Sequence, residues 1–278
     1  MPKFSVLLSV YKKENPEYLK QALYSISNQT LQPDEILIVK DGVLTEALDK
    51  CIETFIQNTS IDVKILAFEK NRGLGLSLHD GVLACRNEYI ARMDTDDIAV
   101  NTRFEKQMNY LKDHPEIALL GSWIKEFSQD AEHPDTITKL PCSDNEIRKF
   151  AKKRNPFRHM TVIFRKSAVL DSGNYRDFLW FEDYDLWVRM LQKGYKAANL
   201  PEYLVNVRAD DEMFARRGGW KYLEQDVRFQ KELYKNGFTN AVLCISNVMI
   251  RSTMRLVPNF MRIYFYKTIL RKIGDKSA

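Results

Sequence analysis

Cysteine is scarce and scattered. The 278 residues hold only Cys51, Cys85, Cys142 and Cys244, with no Cys-x-x-Cys pair and no ligand-like cluster. A chain of this length buries a core without disulfides or a structural metal, and free thiols in a reducing compartment suffice to explain the four. Long apolar runs are also missing, since none reaches the roughly 18 residues that span a bilayer. The opening run Phe4–Val10 lacks the charged leader, length and cleavage site of a signal peptide. A cytoplasmic protein, soluble or peripheral, is the expectation. Neither Gly-x-Gly-x-x-Gly nor a Walker sequence occurs, which disfavours dinucleotide and ATP sites. Excess cation is absent from most of the chain. From Ala241 onward seven Lys and Arg face the single acid Asp275, so the net charge of +5 resides there and the rest is near neutral. A nucleic-acid surface spread over the fold is therefore not expected.

What is present is alternation. Strand-like runs at Phe4–Tyr11, Glu35–Lys40, Val63–Phe68 and Tyr89–Met93 are separated by helical patterns. The first has Asn15 as N-cap, Pro16 at the first helical position and Leu19, Leu23 and Ile26 on one face. Glu46–Ile56 and Leu76–Cys85 follow. This βαβα order predicts a mainly parallel sheet with helices on both faces. Beyond it, Arg103–Leu111 and Asp144–Lys153 read as helices, Ile117–Phe127 and Met160–Phe164 as strands. Glu182–Leu191 has helical spacing closed by Gly194. With no linker or internal repeat, one domain extends over 1–238, its halves meeting near residue 100, with a helical tail over 239–278.

Ligands bind beyond the carboxyl ends of strands in such sheets, and polar residues gather there. Asp94-Thr95-Asp96-Asp97 follows the fourth strand. Three carboxylates so close repel one another unless a cation neutralises them, and hard oxygen donors suit Mg²⁺ or Mn²⁺. A solvated turn is the plainer reading of an isolated triplet; the strand-end position favours the metal. Asp41-Gly42 is by itself a plain turn, or an acid that accepts from a nucleotide base. In Asn71-Arg72-Gly73-Leu74-Gly75 the glycines permit close approach, and Arg72 suits a diphosphate. Glu182-Asp183-Tyr184-Asp185 opens a helix, where the dipole alone favours acids. The neighbouring Trp180, Phe181 and Trp187 offer an apolar wall for a sugar ring and a means of raising a carboxylate toward base function. His159 precedes a strand and is as readily structural as functional.

In order along the chain, Ser5–Tyr11, Asp34–Gly42, Asn71-Arg72-Gly73, Met93–Asp97 and Glu182–Trp187 resemble the family 2 glycosyltransferases of GT-A fold, over about residues 3–235. Asn155-Pro156 to Thr161 and Arg216-Arg217-Gly218-Gly219 are similar to the bacterial branch that builds O-antigen, capsule or exopolysaccharide units. That branch includes β-1,3-galactosyl- and glucosyltransferases acting on GlcNAc-diphospho-undecaprenol. The resemblance implies that Asp41 binds uracil, with Tyr11 and Glu14 lining the nucleotide pocket. It places Arg72 near the diphosphate and makes Asp94 and Asp96 the metal-binding pair, with Asp96 the direct ligand and Asp94 near the ribose. Asp183 becomes the general base of an inverting transfer, with His159, Glu182 and Trp180 on the acceptor side. It further implies a UDP-sugar donor, a lipid-linked saccharide acceptor and a Mn²⁺ or Mg²⁺ cofactor. The Gln-x-x-Arg-Trp pattern of processive synthases is missing, which implies transfer of a single hexose.

In the tail, Val242, Ile245, Met249, Leu256, Phe260 and Ile263 interleave with the cations, as suits a helix lying on an anionic inner leaflet. The competing reading is a helix pair packed on the domain. Two rival functions remain open. A nucleotidyltransferase also needs a carboxylate-bound metal, but Val10–Glu14 lacks its glycine-rich loop. A non-catalytic sugar- or lipid-binding scaffold would not need Asp94, Asp96 and Asp183 intact.

Overall fold

The computed structural model describes residues 1–209 and 219–256, apart from the side chains of Met254 and Leu256. Its first part alternates as predicted: β1 (Phe4–Val10), α1 (Pro16–Ser27), β2 (Glu35–Lys40), α2 (Glu46–Asn58), β3 (Val63–Ala67), α3 (Leu74–Ala84) and β4 (Tyr89–Arg92). Local chemistry sets the helix starts. Asn15 Oδ1 accepts from the amides of Glu17 and Tyr18 ahead of Pro16, and Thr45 caps α2 through Leu48 N. Successive strand residues point to opposite faces, and both faces are covered. Val6, Leu8, Ile36 and Ile38 pack with Leu19, Leu23, Leu48 and Ile52 of α1 and α2. Leu7, Leu37 and Val39 pack with Leu78 and Val82 of α3 on the other side.

The second part comprises β5 (Ile98–Ala99), α4 (Arg103–Asp113), β6 (Ile117–Phe127), β7 (Thr136–Thr138) and α5 (Asp144–Ala151). Then come β8 (Ile163–Arg165), α6 (Lys166–Asp171), α7 (Glu182–Gln192) and β9 (Lys196–Arg208). After the undescribed residues lie α8 (Trp220–Lys235) and α9 (Ala241–Leu256). One nine-stranded sheet runs β3-β2-β1-β4-β8-β6-β9-β5, with β7 on β6. The first four strands are parallel, while β8 is antiparallel to both β4 and β6. The order turns back at β1 and β4, which places the crevice of a doubly wound half at their carboxyl ends.

Two local readings need correction. Met160–Phe164 is not one strand: His159–Thr161 forms a 3₁₀ turn and the strand starts at Ile163. The 13-residue β9 was not anticipated, because Pro201 interrupts its pattern. The irregularity between Ser122↔Leu200 and Trp123↔Tyr203 leaves Pro201 out of the β6 ladder, where its missing N–H costs nothing. The Arg216–Gly218 part of the basic motif and the tail residues Phe260 and Ile263 lie outside the described residues.

Candidate active site

Three loops meet at the carboxyl ends of β1, β2 and β4. Asp41, just past β2 and buried, organises the first. Its Oδ1 accepts from Arg72 N at 2.6 Å, and its Oδ2 from Asn71 Nδ2 at 2.9 Å and Gly73 N at 3.1 Å. Asp41 is thus the anchor of the 71–73 loop, beside a cavity of about 420 Å³ lined by Lys12, Gly42, Leu44 and Glu69. Gly42 has φ +90°, and a Cβ there would stand 2.7 Å from Asn71 N, so only glycine fits between the two loops. The Arg72 guanidinium lies over the Phe68 ring and pairs with Asp80 at 2.7 Å. Its charge is already partnered in this state.

The second loop holds the acids. Carboxylate oxygens of Asp94, Asp96 and Asp97 lie within 4.8 Å of one another. Arg92, the last residue of β4 and 1% exposed, reaches Asp94 Oδ1 at 2.5 Å. Arg92 Nε and Nη1 are buried with no hydrogen-bond partner, so the cation is committed to the acids on one side only. Asp97 is buried and accepts from Arg208 N at 2.8 Å; it does not cap α4, whose N-cap is Thr102. Burial, with Asp94 close by, pushes Asp96 up to about 6, and burial with Asp96 and Asp94 raises Asp97 well above the carboxylate range. Glu14, from the loop after β1, hydrogen-bonds Thr95; burial pushes it up to about 7 against that bond. Tyr11 sits at the start of this loop, its carbonyl accepting from Glu14 N. Crowded, part-desolvated carboxylates with raised proton affinity are what a divalent cation relieves. The donor set, all hard oxygens, fits Mg²⁺ or Mn²⁺.

The third group opens α7. Asp183 Oδ2 accepts from Asn155 Nδ2 at 2.7 Å and its Oδ1 from Tyr184 N at 2.6 Å. Burial raises its proton affinity; the Asn155 bond opposes this and the charge of Asp94 adds to it. Burial, then Asp183, pushes Glu182 up to about 7. The two acids of α7 therefore feel Asp94, and Arg92 acts on Glu182 and the Asp94–Asp97 cluster alike.

His159 Nε2 lies 2.9 Å from the hydroxyl of fully buried Tyr175, and burial with Arg92 holds it well below its usual range, hence neutral. Trp187 is no sugar wall: it is wholly buried among Phe157, His159, Phe164 and Tyr175. Phe181 is buried too. Trp180 alone of the three anticipated aromatics is exposed, at 37%. It adopts φ +67°, a conformation rare for a bulky residue, and stacks on Tyr222 at 4.7 Å. Sequence reasoning missed Arg92, which reads as a polar interruption of a strand, and the role of Asn155, which sits in a recognised motif but belongs chemically to α7.

The chain is similar to known proteins over most of its length. Residues 5–171 match the family model described as Glycosyl transferase family 2. The amylovoran biosynthesis glycosyltransferase AmsE of Erwinia amylovora is 42% identical, over 95% of this chain and 98% of its own. The UDP-Gal:alpha-D-GlcNAc-diphosphoundecaprenol beta-1,3-galactosyltransferase of Escherichia coli is 35% identical, over 98% of each chain. Among solved structures, S. aureus TarS 1–349 in complex with UDP-GlcNAc aligns with TM-score 0.63 at 18% identity, covering 84% of this chain and 66% of that one. The mannosyltransferase PcManGT of Pyrobaculum calidifontis, in complex with GDP-Man and Mn²⁺, aligns with TM-score 0.61 at 13% identity, covering 99% and 88%. The fold is GT-A, and the chain belongs to glycosyl transferase family 2.

Proposed function

We propose that this glycosyltransferase moves one hexose, galactose or glucose, from a UDP-sugar to a GlcNAc-diphospho-undecaprenol-type acceptor. Transfer occurs with inversion and forms a β-1,3 linkage in bacterial surface-polysaccharide assembly. The observation that carries this reading is the pairing of two acid groups within electrostatic reach. The Asp94–Asp97 cluster suits a cation and a leaving diphosphate, while Asp183 is a desolvated carboxylate with one oxygen fixed by Asn155.

In this mechanism Asp94 and Asp96 hold Mn²⁺ or Mg²⁺, which when bound neutralises charge developing on the departing UDP. Arg92 keeps Asp94 in one orientation. Asp183 takes the proton of the acceptor hydroxyl as that oxygen attacks the anomeric carbon, a role favoured by its raised proton affinity. The cavity lined by Asp41 and Lys12 receives the nucleoside, Tyr11 and Glu14 of the same loop as Lys12 contribute to that side, and Arg72 turns from Asp80 to the diphosphate. Trp180 offers its face to the acceptor sugar, and His159 and Glu182 shape that side.

No helix of the described residues is long and apolar enough to cross a membrane. Helix α9 nevertheless exposes Val242, Ile245, Met249 and Ile250 along one stripe, each at least 60% accessible, and the cationic end of the chain follows it. This stripe and the cations suit peripheral contact with the anionic inner leaflet, where a polyprenyl acceptor resides. The test is incubation with a panel of UDP-sugars, Mn²⁺ and a synthetic GlcNAc-diphospho-lipid, with product linkage read by NMR. A β-1,3-hexosylated lipid is expected; UDP release without any glycosylated lipid rejects the reading.

A further inference from the structure

Helix α9 is more than an appendage to the domain. Its two faces differ: spacing puts Val242, Ile245 and Met249 on the outer side and Cys244, Asn247, Arg251 and Arg255 on the inner side. The inner side grips the acceptor half at two places. The first is the end of α5, where three successive carbonyls are each taken by a side chain. Tyr184 Oη donates to Ala151 O at 2.6 Å, Asn247 Nδ2 to Lys152 O at 2.9 Å and Arg251 Nη2 to Lys153 O at 2.7 Å. The first two are carbonyls that the end of α5 leaves without intrahelical partners, and the third lies one residue beyond its C-cap. Two residues further on, Asn155 donates to Asp183.

The second grip passes through Asp226 of α8, which is 1% exposed. Arg251 Nη1 meets its Oδ1 at 2.9 Å, and Arg255 Nε its Oδ2 at 3.2 Å. The Arg255 guanidinium also lies 4.3 Å from the centre of the Tyr222 ring, the same ring on which Trp180 stacks. One helix is therefore tied by short chains of contact both to the partner of Asp183 and to the support of Trp180. A buried carboxylate shared by two guanidiniums is a demanding arrangement, because loss of any member leaves a desolvated charge.

We propose that α9 is a positioning element of the acceptor site: Asn247 and Arg251 set the 151–155 turn that presents Asn155 to Asp183, and Arg255 sets Tyr222 beneath Trp180. This rests on the reading of Asp183 as the base and Trp180 as an acceptor contact. Asn247, Arg251, Arg255 and Asp226 touch no substrate in this account and act through Asn155 and Tyr222. The outer stripe and the brace belong to opposite faces of one helix, so an occupant of the stripe acts first on the acceptor side and leaves the nucleotide loops alone.

The test compares the full chain with Asn247→Ala and with Asp226→Asn, the first being mild enough to fold if the second is not. Hydrogen exchange is expected to quicken in segments 151–158 and 178–186 and to stay unchanged in β1, β2 and the 71–73 loop. With UDP-sugar and lipid acceptor, acceptor KM should rise about fivefold or more and kcat should fall, with donor KM unmoved. A merely destabilised protein would lose active fraction with both KM values unchanged. Unchanged exchange in the two segments overturns the brace, whatever the enzyme transfers. Altered exchange with unchanged acceptor KM overturns its action on the acceptor. If the wild type glycosylates no acceptor, the functional reading falls, while exchange still decides whether the brace exists.

Discussion

Asn155 donates its amide to Asp183 Oδ2 across 2.7 Å, and this bond both aims the carboxylate and opposes the rise in its proton affinity that burial causes. Asn155→Ala removes both effects. Asp183 should then protonate more readily, so the acid limb of the kcat profile moves to higher pH. The rate at neutral pH should fall on the order of 10- to 100-fold, with donor affinity unchanged. A pH–rate profile beside a calorimetric UDP titration checks it; a profile that stays in place removes Asn155 from the machinery.

Asp183→Asn is nearly isosteric and keeps an oxygen for Tyr184 N, but it takes no proton. Turnover should drop by roughly 10²- to 10⁴-fold, the usual worth of a positioned base, while UDP-sugar binding persists. Glu182→Gln next to it should be milder, since Glu182 lacks the fixing bond that Asn155 gives Asp183. Turnover retained in Asp183→Asn would reassign the base.

Metal binding should be steeply pH-dependent. Asp96 is pushed up to about 6 and burial beside Asp96 and Asp94 raises Asp97 as well, so protons compete with the cation at mildly acidic pH. The apparent Kd for Mn²⁺ should fall about tenfold between pH 5.5 and 7.5, with proton release on binding. Asp96→Asn should weaken the metal at both pH values and flatten the dependence. Calorimetric titrations in two buffers of different ionisation enthalpy measure both effects.

Much of this could be seen in the residues beforehand, and the exceptions have physical causes. The β1–β4 half was legible because strands buried on both faces read as apolar runs, and Asn15-Pro16 marks a helix start without tertiary help. The acids at strand ends were legible because a parallel sheet collects its ligands there. β9 was hidden by Pro201, whose position in a bulge is a tertiary fact. Trp187 promised a surface and is core, since aromatic residues near a site do not announce which way they point. Asn247 and Arg251 carry no local signal: their partners are carbonyls nearly 100 residues away.

Gly75 offers a test of packing in which two effects have opposite signs. Within a helix, Gly→Ala ordinarily stabilises by about 1 kcal/mol. Here a Cβ at Gly75 would stand 2.4 Å from the Arg176 carbonyl oxygen and 3.4 Å from Glu182 Cβ. The Arg176 backbone leaves little to yield, so overpacking, at about 1–3 kcal/mol, should outweigh that gain and leave a net destabilisation of up to about 2 kcal/mol. Because the contact joins the donor-loop helix to the segment that leads into α7, acceptor turnover should suffer with stability. Urea unfolding measures the first and steady-state kinetics the second. A stabilised Gly75→Ala would show that the two helices separate freely.

Stability of the metal-free protein should fall as pH rises, opposite to the usual behaviour of carboxylate-rich proteins. Glu14 and Glu182 are pushed up to about 7 and Asp96 to about 6, each from below 5. A group whose folded proton affinity exceeds its unfolded one stabilises the fold fully below the unfolded pKa, and that stability is lost as pH passes the folded value. The window set by these three groups runs from about pH 4 to 7. Arg92 offsets part of the repulsion through Asp94, but its single ion pair faces a whole cluster. Raising the pH from 5 to 8 in chelator should therefore lower the melting temperature by on the order of 5 °C. Saturating Mn²⁺ supplies the missing charge at the Asp96 end and should recover most of that loss at pH 8, much less at pH 5, where protons hold the site. Melting curves at the two pH values, with and without Mn²⁺, give all four numbers. A melting temperature that climbs with pH in chelator would mean that the acids are already neutralised by the protein itself.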